Sequence, residues 1–152
     1  MAQSLAQANA FWYLREELPN VQAFEGYSIK HDISVPVVSV PEFIERAAEA
    51  VRQLSPGARP ACFGHMGDGN LHYNVSEPAG GDPAFKGLYR AMNDAVHRIV
   101  RELGGSFSAE HGIGQAKRDE LAATEPPVAL DLMRRIKAVI DPAGIMNPGK
   151  VL

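Results

Sequence analysis

Apolar residues recur along this chain with two different periods, and the changes of period mark out its elements. Phe11, Leu14 and Leu18 fall at helical spacing and predict a helix over 5–18 that Pro19 stops. No capping residue is apparent before it, so the chain reads as a piece of something longer. Ile29, Ile33, Val35 and Val37 alternate between Gly26 and Pro41 and predict a strand over 27–38. Helical spacing returns from Pro41 to Leu54 through Phe43, Ile44, Ala47, Ala48 and Val51. Two short strands, 60–66 and 71–76, flank Gly67-Asp68-Gly69-Asn70. Asp82-Pro83 then opens a long helix, Asp82 as cap, with Leu88, Met92, Val96, Ile99, Val100 and Leu103 on one stripe. Gly104-Gly105 stops it, and 106–109 reads as a fourth short strand. Further helices are predicted over 113–121 and, after Pro126-Pro127, through Leu130, Met133, Ile136, Val139 and Ile140.

The order from 27 to 109 is strand, helix, strand, strand, helix, strand. That is the ferredoxin-like βαββαβ unit. The fold class expected is α+β: an antiparallel sheet with helices on one face, plus extra terminal helices. At 152 residues and 45% hydrophobic content the chain suits a single domain with a real core.

Charge narrows the function. Fifteen Lys+Arg against 18 Asp+Glu leave a formal −3, which argues against nucleic acid as a partner, since that requires a basic face. No apolar run approaches the ~20 residues of a membrane helix. Residues 1–10 have neither a basic start nor an apolar core, which speaks against a secretory signal. The single cysteine, Cys62, suits a reducing compartment, so a cytoplasmic location is expected.

The chemistry concentrates in Phe63-Gly64-His65-Met66-Gly67-Asp68-Gly69-Asn70-Leu71-His72-Tyr73-Asn74. Asp-Gly between alternating runs signals a two-residue type I′ hairpin. With Asp68-Gly69 as that turn, Gly67 pairs with Asn70, Met66 with Leu71 and His65 with His72. Opposed residues on one face have Cβ atoms roughly 4.5–5.5 Å apart, so both imidazoles reach one metal ion, and Asn74 shares their face. By periodicity alone, two histidines merely flanking a turn explain the pattern equally well. A second stretch, Gly105-Ser106-Phe107-Ser108-Ala109-Glu110-His111-Gly112-Ile113-Gly114, sets a carboxylate beside an imidazole where the last strand runs into glycines. Alone it reads as a solvated loop. With the paired histidines, Glu110 completes an open His₂Glu site of catalytic type, and His111 becomes a candidate general base.

Two cations are candidate anchors for a substrate carboxylate: Arg15 in the first helix and Lys30 in the first strand. A lone Lys or Arg is more often solvated surface. His31 and His97 read as structural, and Phe11-Trp12 as packing.

Three separated blocks are similar to one known family: Gly64-His65-Met66-Gly67-Asp68-Gly69-Asn70-Leu71-His72, Glu110-His111-Gly112-Ile113-Gly114, and Asp141-Pro142-Ala143-Gly144-Ile145-Met146-Asn147-Pro148-Gly149-Lys150. They resemble the C-terminal domain of FAD-linked oxidases of the vanillyl-alcohol-oxidase type, flavoproteins that include D-2-hydroxyglutarate dehydrogenases, D-lactate dehydrogenases and the glycolate oxidase D subunit. The resemblance spans nearly the whole chain. It implies a substrate- and metal-binding cap over FAD held by a separate N-terminal domain. It implies His65, His72 and Glu110 as ligands of a divalent metal, usually zinc, with Asn74 and His111 facing substrate. It also implies Arg15 and Lys30 as carboxylate anchors and Asn147 on the side of the flavin. Where the 2-hydroxyglutarate enzymes can carry a hydroxyl residue four positions after the arginine, this chain has Pro19.

The expected function is therefore half of an FAD-dependent D-2-hydroxy-acid dehydrogenase, inert without its flavin domain. Its partners would be a small 2-hydroxy acid, that FAD-binding domain and a homodimeric copy. A stand-alone His₂Glu metal hydrolase and a non-catalytic ligand-binding or dimerisation module are the alternatives, since ferredoxin-like folds host many functions.

Overall fold

The computed structural model describes residues 1–65 and 67–152. Met66, to which the sequence assigns a pairing with Leu71, lies outside the described residues. The chain divides into two compact units, Met1–Glu110 and His111–Leu152.

The first unit opens with helix α1, Leu5–Val21. It does have a cap: the Ser4 hydroxyl accepts the Gln7 N–H at 3.2 Å, and the Gln3 N–H reaches the Gln7 side chain at 2.7 Å. Nor does Pro19 stop it. Proline removes one N–H, which deprives the Arg15 carbonyl of its helical donor, but the backbone continues to Val21 and into a 3₁₀ turn, Gln22–Glu25. Strand β1 (Ser28–Ser34) follows, shorter than the alternation suggested because Val37–Ser39 curls into a second 3₁₀ turn. Helix α2 (Val40–Leu54) carries Pro41 in its first turn, as expected. Strands β2 (Arg59–His65) and β3 (Asn70–Ser76) come next. The long helix is split: Asp82 accepts the Ala84 N–H at 2.9 Å, Phe85–Leu88 is 3₁₀, and α3 spans Tyr89–Glu102.

The three strands form one antiparallel sheet in the order β1-β3-β2. This is the α+β, ferredoxin-like arrangement, with one trim. The fourth strand shrinks to a single bridge, where Ser34 and Ser106 exchange N–H···O bonds of 2.8 and 2.9 Å beside β1. Gly105 permits that approach, because a Cβ there would lie 2.1 Å from the Ser34 oxygen.

Strand alternation separates two sheet faces. Ile29, Ile33, Leu71, Tyr73 and Val75 join Phe43, Ala47 and Val51 of α2 and Met92, Val96 and Val100 of α3 in one buried cluster. A fully buried Val, Ile, Phe or Met contributes about 1.5–3 kcal/mol, so this cluster holds the unit together. His31 and His97 are buried here too, as the structural reading expected. Their rings meet edge-on at 5.6 Å, and His31 Nδ1 lies 2.7 Å from the Tyr73 carbonyl oxygen. Burial pushes the Tyr73 phenol well above its ordinary pKa.

The second unit contains α4 (Arg118–Thr124), α5 (Pro127–Ile140) and the tail. Helix α4 starts five residues later than its apolar pattern predicts, at 118 rather than 113. Gly112 and Gly114 both adopt left-handed φ, +74° and +56°, which a helix cannot include. After α5 the tail folds onto Asp141. Its carboxylate accepts the Ile145 and Met146 N–H groups, each at 2.9 Å, and pairs with Lys137.

Candidate functional site

The sheet face opposite the core is polar because β1 and β3 each place their hydrophilic residues on it. In register, Lys30 lies across from Asn74, Asp32 from His72 and Ser34 from Asn70. β2 completes the face: Phe63 lies opposite His72, and His65 opposite Asn70.

This register corrects the expected hairpin. His65 does not pair with His72; Phe63 does, and its ring packs 5.3 Å from the His72 imidazole. Four residues separate the paired His65 and Asn70, where a type I′ turn would leave two, and Asp68 does not take the positive φ such a turn requires. The Asp68 carboxylate instead accepts the Asn70 N–H at 3.0 Å, and the His65 carbonyl accepts the Gly69 N–H at 3.1 Å. Gly69 (φ +76°) passes its own carbonyl to the Val35 N–H at 3.1 Å; a Cβ on it would lie 1.9 Å from the Val35 oxygen. The slip is two residues. Because side chains alternate with period two, it leaves His65 and His72 on the same face.

Glu110 draws them together. His65 Nε2 lies 3.7 Å from Glu110 Oε1, and His72 Nε2 lies 3.7 Å from Glu110 Oε2. Two ligands at about 2.0–2.1 Å from a tetrahedral metal stand roughly 3.3–3.4 Å apart, so each histidine–Glu110 pair is a little wider than two ligands of one ion. Two imidazoles and a carboxylate are also the donor chemistry zinc accepts. Glu110 is not free to swing. The Asn70 amide donates to its Oε1 at 2.7 Å, and its own N–H donates to Asp32 Oδ2 at 3.0 Å. Asp32 Oδ1 stands 4.0 Å from His72 Nδ1.

The other candidates distribute as follows. Arg15 reaches the same group, with its Nη2 3.5 Å from His65 Nε2 and its guanidinium over the Trp12 ring at 5.5 Å. Trp12 thus stacks on the arginine, and the packing expected of Phe11-Trp12 is not seen: the two are 59% and 57% exposed. Lys30 is exposed on the polar face, two residues from Asp32. Asn74, 5% exposed, donates its amide to Gln22 at 2.6 Å. His111 is exposed and opens the second unit; Asn147 lies in the tail of that unit with φ +48°. Asp32 and Asn70 were not anticipated. The only signal for Asp32 is that it shares a strand face with Lys30, and its place opposite His72 depends on pairing between segments distant in sequence.

The α+β sheet thus presents two imidazoles and a carboxylate on one polar face, with Arg15 and Lys30 beside them. The chain belongs to the family of FAD linked oxidases, C-terminal domain, which it matches over residues 1–151. It is 41% identical over 153 residues to a D-2-hydroxyglutarate dehydrogenase of Stutzerimonas stutzeri, covering 99% of this chain and 32% of that protein. It is 37% identical to the mitochondrial D-2-hydroxyglutarate dehydrogenase of Rattus norvegicus, covering 100% of this chain and 27% of the relative. The corresponding Arabidopsis thaliana protein is 35% identical, with 100% and 26% covered. The chain thus spans about a quarter to a third of the relatives it matches. Among the described residues no helix is long and apolar enough to cross a membrane.

Proposed function

We propose that this chain is the substrate- and metal-binding cap of an FAD-dependent D-2-hydroxy-acid dehydrogenase. The observation that carries the reading is the double approach of His65 and His72 to the two oxygens of Glu110, 3.7 Å each. Those three residues hold a divalent ion, zinc by donor chemistry. When bound, the ion supplies Lewis-acid activation of the substrate's 2-hydroxyl, and FAD supplies an acceptor for the hydride leaving C2.

The chain's own residues bind, orient and move the proton. His111 accepts the hydroxyl proton at a ring nitrogen as C2 becomes a carbonyl carbon. Arg15 and Lys30 bind the distal end of the substrate; two cations suit a second carboxylate, and the names of the relatives support a dicarboxylic 2-hydroxy acid. Asn74 orients the substrate by hydrogen bonding, and Asn147 contacts the flavin. FAD itself is held by a separate N-terminal domain, the principal partner, and a homodimer is compatible with this role. The lone cysteine suits the cytoplasm.

The test is elemental analysis of the purified chain beside a His65→Ala, His72→Ala double variant. Close to one zinc per wild-type chain and little in the variant is expected. Equal metal content in both would sink the site.

A further inference from the structure

We infer that Asp32 is a positioning residue that orients two of the three proposed ligands at once; the inference rests on the metal-site reading above. Asp32 is 4% exposed, and a carboxylate so buried is costly unless its charge is answered. One oxygen, Oδ2, accepts the Glu110 backbone N–H at 3.0 Å. The Asp32 carbonyl also accepts the Ala109 N–H at 3.3 Å. Together these bonds fix the segment that delivers Glu110 to the sheet face. The other oxygen, Oδ1, stands 4.0 Å from His72 Nδ1, on the strand directly across in register.

The two nitrogens of His72 therefore face different carboxylates. Nδ1 looks toward Asp32 and Nε2 toward Glu110, 3.7 Å away. A carboxylate beside Nδ1 favours the proton there, which leaves the Nε2 lone pair directed at the place where an ion would sit. Outer carboxylates of this kind fix a ligand histidine's tautomer and ring orientation, and their loss typically weakens metal binding about 10–100-fold. Asn70 holds the Glu110 side chain at 2.7 Å, and Asp32 links the segment of the carboxylate ligand to the histidine ligand.

Asp32→Asn isolates this role. The asparagine oxygen still accepts the Glu110 N–H, which leaves its amide facing His72 Nδ1. An N–H donor there requires Nδ1 to accept, so the proton moves to Nε2 and occupies the metal-facing lone pair. Three measurements on the whole chain test the role. In the metal-free wild type, ¹H–¹⁵N correlation of the His72 ring should find the proton on Nδ1, and in Asp32→Asn on Nε2. Zinc affinity, by competition with a chromophoric chelator, should fall about 10–100-fold in Asp32→Asn and below detection in His72→Ala. A wild-type ring protonated on Nε2, unchanged affinity in Asp32→Asn, or a loss there as complete as in His72→Ala would each overturn the positioning role. The last would make Asp32 a ligand itself. Unchanged affinity in His72→Ala would instead overturn the metal-site reading, and the ring-proton result still judges Asp32. Should Asp32→Asn fail to fold, the wild-type spectrum is sufficient: a proton on Nδ1 supports the role and one on Nε2 overturns it.

Discussion

Two buried aspartates, one in each unit, perform the same backbone task with different consequences. Asp32 accepts the N–H of Glu110, and Asp141, 7% exposed, accepts those of Ile145 and Met146. The difference lies in what answers the remaining charge. Asp141 is paired with Lys137, whose ammonium also donates to the Met146 carbonyl at 2.6 Å. Donors and acceptors are matched within that loop. Asp32 faces a histidine whose other nitrogen points to a second carboxylate. The tail clamp thus joins a carboxylate to a lysine and to backbone amides, whereas on the sheet face two carboxylates approach one imidazole. A buried aspartate that caps backbone amides is structural by default. It gains a part in chemistry through its second neighbour.

The strongest attempt to break this contrast goes through His111, the first residue of the second unit. If chemistry belonged only to the sheet face, His111→Asn would be silent. As the general base, it should cost about 10²–10⁴-fold in turnover of the full-length flavoprotein, with zinc and flavin content intact. Steady-state kinetics beside metal and flavin analysis distinguish the cases. Unimpaired turnover would confine the chemistry to the first unit.

A smaller effect sharpens the comparison between the two loops. Gly69 and Gly144 both have left-handed φ, +76° and +65°, but a Cβ on Gly69 would meet the Val35 oxygen at 1.9 Å, whereas one on Gly144 meets nothing within 4 Å. Gly144→Ala should cost only the backbone term, about 1 kcal/mol. Gly69→Ala adds a steric clash with a backbone carbonyl and should cost roughly 2–3 kcal/mol or shift the loop. Chemical denaturation followed at signals from each unit would measure both. Equal costs would mean that the site loop is not held against β1 as described.

The order of strands and helices was legible in the sequence because α2 and β1 carry clean periods, 3.6 and 2. The common face of His65 and His72 was legible for a subtler reason: parity survives an even slip in register. The register itself was not, since it depends on Gly69 docking against Val35, a contact between segments far apart in the chain. Pro19 misled because one missing N–H does not end a helix whose remaining bonds persist. Ser4 was overlooked as a cap although serine is among the preferred residues there. Glu110 was readable beside its histidine, but its supports, Asp32 and Asn70, were invisible without the pairing of β1 and β3.

The smallest expected effect concerns acid. The Lys137 ammonium, with the Met146 and Ile145 amides, holds the Asp141 carboxyl below its ordinary pKa. A carboxyl depressed in the folded state contributes stability that is fully present above its unfolded value, about 3.9, and lost as pH falls through the folded one. The tail clamp should thus be intact at neutral pH and loosen from about pH 4 downward. Amide exchange at Ile145 and Met146, corrected for its intrinsic pH dependence, should show protection falling in that window. In Asp141→Asn the window should vanish, because an amide neither titrates nor pairs with Lys137, and protection should be low at every pH. Undiminished protection in that variant would show that the tail is held by something other than its aspartate, and the parallel between the two carboxylates would end there.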